Sequence, residues 1–424
     1  MAGAESGDRI SELPLSLREC ILERIPVKEA VRTSILSRKW RYCWNGMTRL
    51  VFDEAFDDSM GHLSDAEFAG IIGRALSHHR GCIHTFVLHI PYEAEVDNLN
   101  LHAWFLILLR SGIQELAMDC NSDDGDRFTL PPHFFSCLRL TRISFEGAVL
   151  SPPPSFSGFP HLVTLDLKGA LMCSEVLENL ISKSPQLEKI RLSHARSSNQ
   201  QAFVLSAPKL VTLELQESSP GYVILKNVPR LTSVSMMSLD CMALEFSKSY
   251  CPLRLMGSLS GVRELAFDFQ YLETFSGSCP KSLPAKLANL TNLCLEWIDV
   301  WKLEELRFLF CFIRSSPSLQ TLAIRVYADV EDLKNEALRY LQGEVGDQSI
   351  LSDVVTVRME GCVGFDHELL LLKIILGRCP NLDTLHVELN SHVEDFGARR
   401  VSGALMQFRR LSSKVKVAHS RASL

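Results

Sequence analysis

The chain has 424 residues, of which 46% are hydrophobic and 22% are charged, and its formal net charge is −6. This composition predicts a soluble intracellular protein, and no nucleic-acid partner is expected, because the N-terminal segment is only mildly basic. The longest apolar runs, 103–109 and 369–372, are far shorter than the roughly 20 residues that cross a bilayer, so no membrane partner is expected.

The N-terminus and the cysteines indicate a cellular compartment. The first ten residues contain no apolar stretch, so no signal peptide is expected. The thirteen cysteines are scattered singly, without a CxxC pair, which predicts reduced thiols and no metal site. We therefore expect the protein in the cytoplasm, the nucleus or both.

The segment 9–44 has apolar residues at helical spacing and two prolines at expected helix boundaries. A capping box that begins at Ser16 predicts a first helix, and Pro26 ends this helix and begins a second. Ser37 is a potential cap for a third helix, which would place Trp40 one turn from a second tryptophan. The apolar surface exceeds what about forty residues can bury alone, so part of it is expected to contact another protein.

The same residues, ISELPLSLRECILERIPVKEAVRTSILSRKWRYCW, resemble the F-box, and most closely the F-box of plant proteins. The Leu-Pro, Ile-Leu and second Pro motifs of the family fall on Leu13-Pro14, Ile21-Leu22 and Ile25-Pro26. The resemblance implies docking on a Skp-type adaptor and, through it, on a cullin of an SCF ubiquitin ligase. The residues implied in this contact are Leu13, Pro14, Leu17, Ile21, Leu22, Ile25, Pro26, Val31, Leu36 and Trp40. Leu15 stands where the family usually has an acidic or polar residue, and we expect it to modulate the docking.

A second pattern, apolar residues separated by two variable residues and then by one, recurs along the rest of the chain. Eleven copies run from Ile113-Leu116-Met118 to Leu382-Leu385-Val387, about 27 residues apart, and two weaker copies begin at Met47 and Ile83. Repeats of roughly 20–29 residues with this pattern are typical of leucine-rich repeats. Each copy is expected to form a short strand with a helical or irregular return, and stacked neighbours share the core.

The predicted fold is α/β, with a three-helix F-box followed by an irregular leucine-rich-repeat solenoid. We place the F-box at 8–48, a linker with degenerate first repeats at 49–110, the leucine-rich repeats at 111–390 and a basic helix or tail at 391–424. Residues 354–390 also resemble the FBD-type end of plant F-box/leucine-rich-repeat proteins. The matching parts are a strand, a glycine-containing turn, a Glu-led apolar helix and a final strand.

The search for catalytic patterns points away from an enzyme, and no cofactor is expected. His367-Glu368 begins like the helix of a zinc protease, but Leu371 occupies the place of the second histidine. The sequence therefore predicts a non-catalytic adaptor that captures a target protein for ubiquitination. Residues that alternate with the buried strand positions are candidates for target contact: Asp166, Arg191, Glu214, Asp268, Glu296, Arg325 and Arg358.

Two other functions stay open at this point. In the first, the N-terminal helices are only the cap of a repeat domain, and the protein is a binding scaffold without ligase coupling. In the second, the solenoid is a receptor that holds a small molecule and the target together.

Overall fold

The computed structural model describes residues 10–61, 63–91, 99–120, 127–197, 202–216, 223–237, 258–268, 283, 286–327, 336–345, 351–391 and 395–421. The chain divides into two compact units, Met1–Lys209 (unit 1) and Leu210–Leu424 (unit 2).

Unit 1 begins with helices α1 (Leu15–Leu22) and α2 (Val27–Arg32), followed by short 3₁₀ helices at Thr33–Ile35 and Cys43–Gly46. Pro14 and Pro26 immediately precede the two α-helices, because a residue without an amide hydrogen is tolerated where that hydrogen has no helical acceptor. The first helix thus starts before Ser16, and the expected capping box at this residue is a wrong prediction. The third helical segment consists of 3₁₀ turns, and Tyr42 interrupts it with a φ of 70°.

The remainder of unit 1 consists of strands with helices between some of them. The strands are β1 (Arg49–Phe52), β2 (Thr85–Ile90), β3 (Glu115–Cys120), β4 (Phe128–Thr129), β5 (Arg142–Glu146), β6 (Ala148–Val149), β7 (Thr164–Lys168), β8 (Leu171–Met172), β9 (Lys189–Ser193), β10 (Arg196–Ser197) and β11 (Phe203–Ser206). The helices are α3 (Glu54–Met60), α4 (Asp65–His78), α5 (Leu101–Ser111) and α6 (Ser174–Ser182). A parallel sheet contains β1, β2, β3, β5, β7 and β9, and the short strands β4, β6, β8 and β10 form a second one.

The register of the larger sheet confirms the repeat pattern. The middle apolar residue of each copy stands opposite that of the next, in the order Leu50, Phe86, Leu116, Ile143, Leu165 and Ile190. All six side chains are buried. A fixed repeat therefore gives a continuous core, because each strand places the same side-chain position against its neighbour.

Unit 2 is built in the same way. Its strands are β12 (Thr212–Gln216), β13 (Val223–Lys226), β14 (Ser233–Met237), β15 (Glu264–Asp268), β16 (Asn292–Asp299), β17 (Thr321–Tyr327), β18 (Thr356–Cys362), β19 (Thr384–Leu389) and β20 (Lys416–Arg421). Its helices are α7 (Leu303–Ser315), α8 (Glu336–Val345), α9 (Asp366–Arg378) and α10 (Asp395–Gln407). Apart from β13, these strands form parallel pairs in chain order.

The C-terminal part of unit 2 contains the segment that resembles the FBD-type end. The expected strand, turn, helix and strand are present as β18, α9 and β19, with Gly361 inside β18 at a φ of 79° and Gly364 in the turn at a φ of 98°. Residues after 390 form helix α10, which was expected, and strand β20, which was not. β20 continues the sheet, with Val417 opposite Leu385.

The described cysteines are free thiols. Burial raises the pKa of Cys137, Cys294 and Cys379 to about 12, so these thiols stay protonated at neutral pH. Within the described ranges, no helix combines the length and the apolar character that a membrane crossing requires.

Candidate functional site

The N-terminal helices, residues 10–47, have a small core of their own. Leu22, Val27, Ala30, Trp40 and Met47 are buried within it. Polar contacts fix the segment that follows α2. The indole Nε1 of Trp40 donates to Oγ of Ser11 over 3.0 Å, and the Arg18 guanidinium donates to the backbone oxygen of Lys39.

Most residues that the resemblance implied in adaptor docking lie at the surface of this segment. Pro14, Leu17, Ile21, Pro26, Val31 and Leu36 are exposed, Leu13 and Ile25 are half-buried, and Leu22 and Trp40 are buried. Leu22 has no exposed surface and Leu36 is 70% exposed. The sequence could not separate these two leucines, because helical spacing identifies an apolar stripe without showing which part of it the domain itself covers.

This segment concentrates exposed apolar side chains. Sixteen large hydrophobic residues are exposed among the described residues, and half of them lie in 10–42. Four of these eight lie outside the implied adaptor-contact residues: Leu15, which was expected to modulate the docking, and Ile10, Ile35 and Tyr42, which were missed. Apolar surface of this density on a folded protein indicates an interaction site. We call the exposed apolar residues of 10–42 the head surface.

A cavity of about 400 Å³ lies beside the head surface in unit 1, where α2, α3 and β1 meet. Its apolar lining includes Ile25, Val27, Met47 and Phe56, and charged residues such as Lys28 also face it. The volume falls near the lower end of the range for small-molecule sites. The cavity lies next to implied adaptor-contact residues, and its lining also includes Arg49 and Val51, which alternate with the buried residues of β1.

In unit 1, the predicted target-contact residues Asp166 and Arg191 meet on adjacent strands, β7 and β9. They stand opposite each other in register, and Nη1 of Arg191 lies 3.0 Å from Oδ2 of Asp166. In unit 2, Glu214 is half-buried on β12.

Asp268 corrects the prediction for the sheet face. It follows the alternation of β15, but its side chain is only 1% exposed. Strand alternation predicts on which face of the sheet a side chain lies. It does not predict whether other segments cover that side chain. Asp268 is therefore not an exposed target-contact residue.

Three other predicted residues of unit 2 come together with one that sequence reasoning missed. Arg325 on β17 lies between Glu296 on β16 and Glu360 on β18, with Nη1 2.9 Å from Glu296 Oε2 and Nη2 2.6 Å from Glu360 Oε2. The exposed Arg358 makes a longer contact of 3.7 Å with Glu360. Glu360 could have been found from the register, since it stands opposite Arg325.

Two exposed aromatic residues, Trp297 and Tyr327, adjoin this charged group. Their ring centroids are 6.5 Å apart at an interplanar angle of 73°, and the Arg325 guanidinium lies 5.4 Å from the Trp297 ring centroid. Sequence reasoning missed both aromatics. A register shift between Leu295 and Ile298 breaks the alternation of β16 at Trp297, whereas Tyr327 follows the regular alternation of β17 and could have been found from Arg325. We call Glu296, Trp297, Arg325, Tyr327 and Glu360 the aromatic–acidic cluster.

Glu368, which the sequence placed next to His367 in a motif resembling a zinc protease, has a structural role. Its Oε2 accepts hydrogen bonds from the backbone nitrogens of Val363, Gly364 and Phe365 over 2.9, 2.6 and 3.1 Å. Burial raises the pKa of Glu368, and these hydrogen bonds and the nearby Arg400 oppose the rise. The carboxylate thus caps the start of α9.

Comparisons with known proteins agree with both parts of the chain described above, the N-terminal helices and the repeat strands. Residues 10–52 match the F-box domain, and residues 101–324 match the family described as FBD-associated F-box protein At5g56370, LRR repeats. F-box/FBD/LRR-repeat protein At1g13570 of Arabidopsis thaliana is 30% identical over 93% of this chain and 94% of its own length. FBD-associated F-box protein At4g10400 of the same plant is 28% identical over 54% of this chain and 56% of its own length.

A solved structure from Bacteroides fragilis overlaps 81% of this chain and 78% of its own chain, at 11% identity and a TM-score of 0.36. That agreement is too low to support a conclusion.

Proposed function

Because the chain belongs to the F-box/FBD/LRR-repeat proteins, we propose that it is the substrate-recognition subunit of an SCF ubiquitin ligase. In this role the head surface docks on a Skp-type adaptor, and the adaptor joins the chain to a cullin. The outward face of the repeat strands captures a protein target. The chain itself is non-catalytic, as F-box/leucine-rich-repeat proteins generally are.

The observation that carries the proposal is the exposed apolar head surface. Leu17, Ile21, Val31 and Leu36 leave apolar area in water on a segment that is otherwise held by its own core. Burying one leucine side chain contributes roughly 1.5–3 kcal/mol. A partner that covers several of these side chains would therefore bind tightly. Leu15, the departure from the family pattern, is also exposed and adds apolar area at the start of α1.

The mechanism that fits this arrangement is proximity. A target held on the repeat strands stays near the ubiquitin-loaded enzyme of the ligase, and its effective concentration there rises without any new chemistry from this chain. Charged pairs such as Asp166–Arg191 give the strand face mixed signs, which suits a protein surface better than a uniformly charged ligand.

Co-expression with a Skp-type adaptor, followed by size-exclusion chromatography, tests the docking. The wild-type chain is expected to co-elute with the adaptor, and Leu17→Ala/Leu36→Ala is expected to weaken the complex by at least about tenfold. Leu138→Ala is the matched control, because Leu138 is an exposed leucine of unit 1 outside the head surface.

Failure of the folded wild-type chain to co-elute would reject the ligase proposal and leave a repeat scaffold that binds another partner. Retention of full affinity by the double variant would place the adaptor elsewhere on the chain. The receptor alternative gains no support from the cavity of unit 1, since its lining includes the implied adaptor-contact residues Ile25 and Pro26 and none of the predicted target-contact residues.

A further inference from the structure

We propose that the aromatic–acidic cluster of unit 2 is the docking point for a basic side chain, lysine or arginine, of the captured protein target. This inference rests on the proposed function in assuming that the strand face holds the target. It specifies which residues contact the target and which kind of side chain they bind.

The two aromatic rings of the cluster are partly exposed to solvent on the strand face. Trp297 and Tyr327 are 44% and 46% exposed, although a soluble protein normally covers rings of this size. Tryptophan, tyrosine and arginine are the residues that most often dominate binding energy at protein interfaces. Here all three types lie together, on adjacent strands of one sheet.

The backbone at Trp297 is held in a conformation that large residues rarely adopt. Its φ is 60°, in the left-handed region that costs a residue with a side chain roughly 1–2 kcal/mol. The equivalent irregularity in β18 falls at Gly361, with a φ of 79°. A Cβ at Gly361 would lie 2.5 Å from the Val326 backbone oxygen. The bulge of β18 thus has a glycine where a side chain would clash. The bulge of β16 has a tryptophan instead, and it directs the indole outward at a conformational cost.

Charged neighbours fix the orientation of the indole. Arg325 is held by Glu296 and Glu360 at 2.9 and 2.6 Å, and its guanidinium lies against Trp297 at 5.4 Å from the ring centroid. A ring that is already positioned loses little conformational entropy when a partner binds. The same contact shows that this indole accepts a cation against its face.

The charge balance favours an incoming cation. Three carboxylates, Glu296, Glu360 and Glu388, lie near the ends of β16, β18 and β19, against the two guanidiniums of Arg325 and Arg358. Among the described residues Glu388 has no ion pair, and the next strand presents Ser420 opposite it. Exposed aromatic rings in a sheet region with one carboxylate in excess favour a lysine or arginine side chain.

Selection of displayed random peptides tests the proposal, with the full chain purified together with its Skp-type adaptor. Wild type, Trp297→Gly and Met406→Ala would be used in parallel. Glycine tolerates the positive φ at position 297, so that variant keeps the backbone. Met406 is an exposed residue of α10 outside the cluster and serves as the control.

The expected result is that peptides selected on wild type are enriched in lysine and arginine. A synthetic copy of one such peptide should bind wild type and Met406→Ala equally. Its binding to Trp297→Gly should be at least about tenfold weaker. Replacing its basic residue by the neutral isostere, citrulline for arginine, should weaken binding to wild type by a similar factor.

Three outcomes would overturn the inference: no selected peptide, selected peptides without basic residues, or equal binding to Trp297→Gly. If any of these occurs while the adaptor still co-elutes, the docking point is wrong and the proposed function stands. Loss of adaptor co-elution by the wild-type chain would instead reject the proposed function.

Discussion

Arg378 donates a hydrogen bond from Nη2 to Oε2 of Glu344 over 3.0 Å, and both side chains are more than nine-tenths buried. A second guanidinium, that of Arg314, lies 2.5 Å from Glu344 Oε1. The ring of Phe310 lies within 6 Å of both guanidiniums, at 5.8 and 5.6 Å. This group connects α7, α8 and α9 behind the strands that carry the aromatic–acidic cluster.

Removing the charge of Glu344 should destabilise unit 2. Glu344→Gln leaves Arg378 buried without its carboxylate partner, and breaking a buried pair in this way costs on the order of 3 kcal/mol. For a unit of this size the unfolding midpoint should fall by roughly 6–12 °C. Calorimetry of the chain copurified with its adaptor measures this shift.

Asp366→Asn is the matched control, because Asp366 is exposed and pairs with Arg400 at the surface of the same unit. Exposed pairs contribute at most about 1 kcal/mol, so its midpoint should stay close to that of wild type. Equal midpoints for Glu344→Gln and Asp366→Asn would mean that the buried group does not hold the helices together.

Leu22 and Leu17 should separate stability from adaptor binding. Leu22→Ala removes a fully buried side chain and should cost about 2–5 kcal/mol within the N-terminal helices. Hydrogen exchange of the amides of α2 should then accelerate. Leu17→Ala changes an exposed residue and should leave this exchange unchanged. If Leu22→Ala weakened adaptor binding with no change in exchange, Leu22 would contact the adaptor directly.

The repeat strands were predictable because a single physical rule determines them. All thirteen copies of the apolar pattern became strands, and within each unit the middle residues of neighbouring copies stand opposite each other. β20 was missed because it lacks the pattern. His419 stands opposite Val387, where the other strands have an apolar side chain.

The candidate sites were less predictable than the strands. The motif located the head surface, but a helical stripe could not show that Leu22 and Trp40 are covered by their own segment. Alternation failed at Asp268, which is buried by its surroundings. It also failed at Trp297, where no glycine signals the register shift that turns the indole outward.

The stability of the chain should respond to pH through Glu368. Because burial raises the pKa of Glu368 above its ordinary value, the folded state binds a proton more readily than the unfolded state does. The stability that this group provides is therefore complete below its ordinary pKa and is lost as the pH rises through the folded value. Wild type should gain stability relative to Glu368→Gln when the pH is lowered from about 7 to about 5.

Urea unfolding of both proteins at the two pH values measures this difference. Glu304→Gln, which removes an exposed carboxylate from the first turn of α7, is the control for the loss of one charge. A wild-type advantage that stays constant over this range would show that the Glu368 carboxyl is not destabilised by burial.

Two substitutions at Trp297 should distinguish backbone strain from loss of the ring. Trp297→Gly and Trp297→Ala both remove the indole and its contact with Arg325, but only glycine adopts a φ of 60° without a steric cost. The glycine variant should therefore be more stable than the alanine variant by about 1 kcal/mol, measured by urea unfolding. An alanine variant of equal or greater stability would mean that the bulge relaxes once the indole is gone. The tryptophan would then be held outward by its contacts with Arg325 and Tyr327, rather than by a fixed backbone.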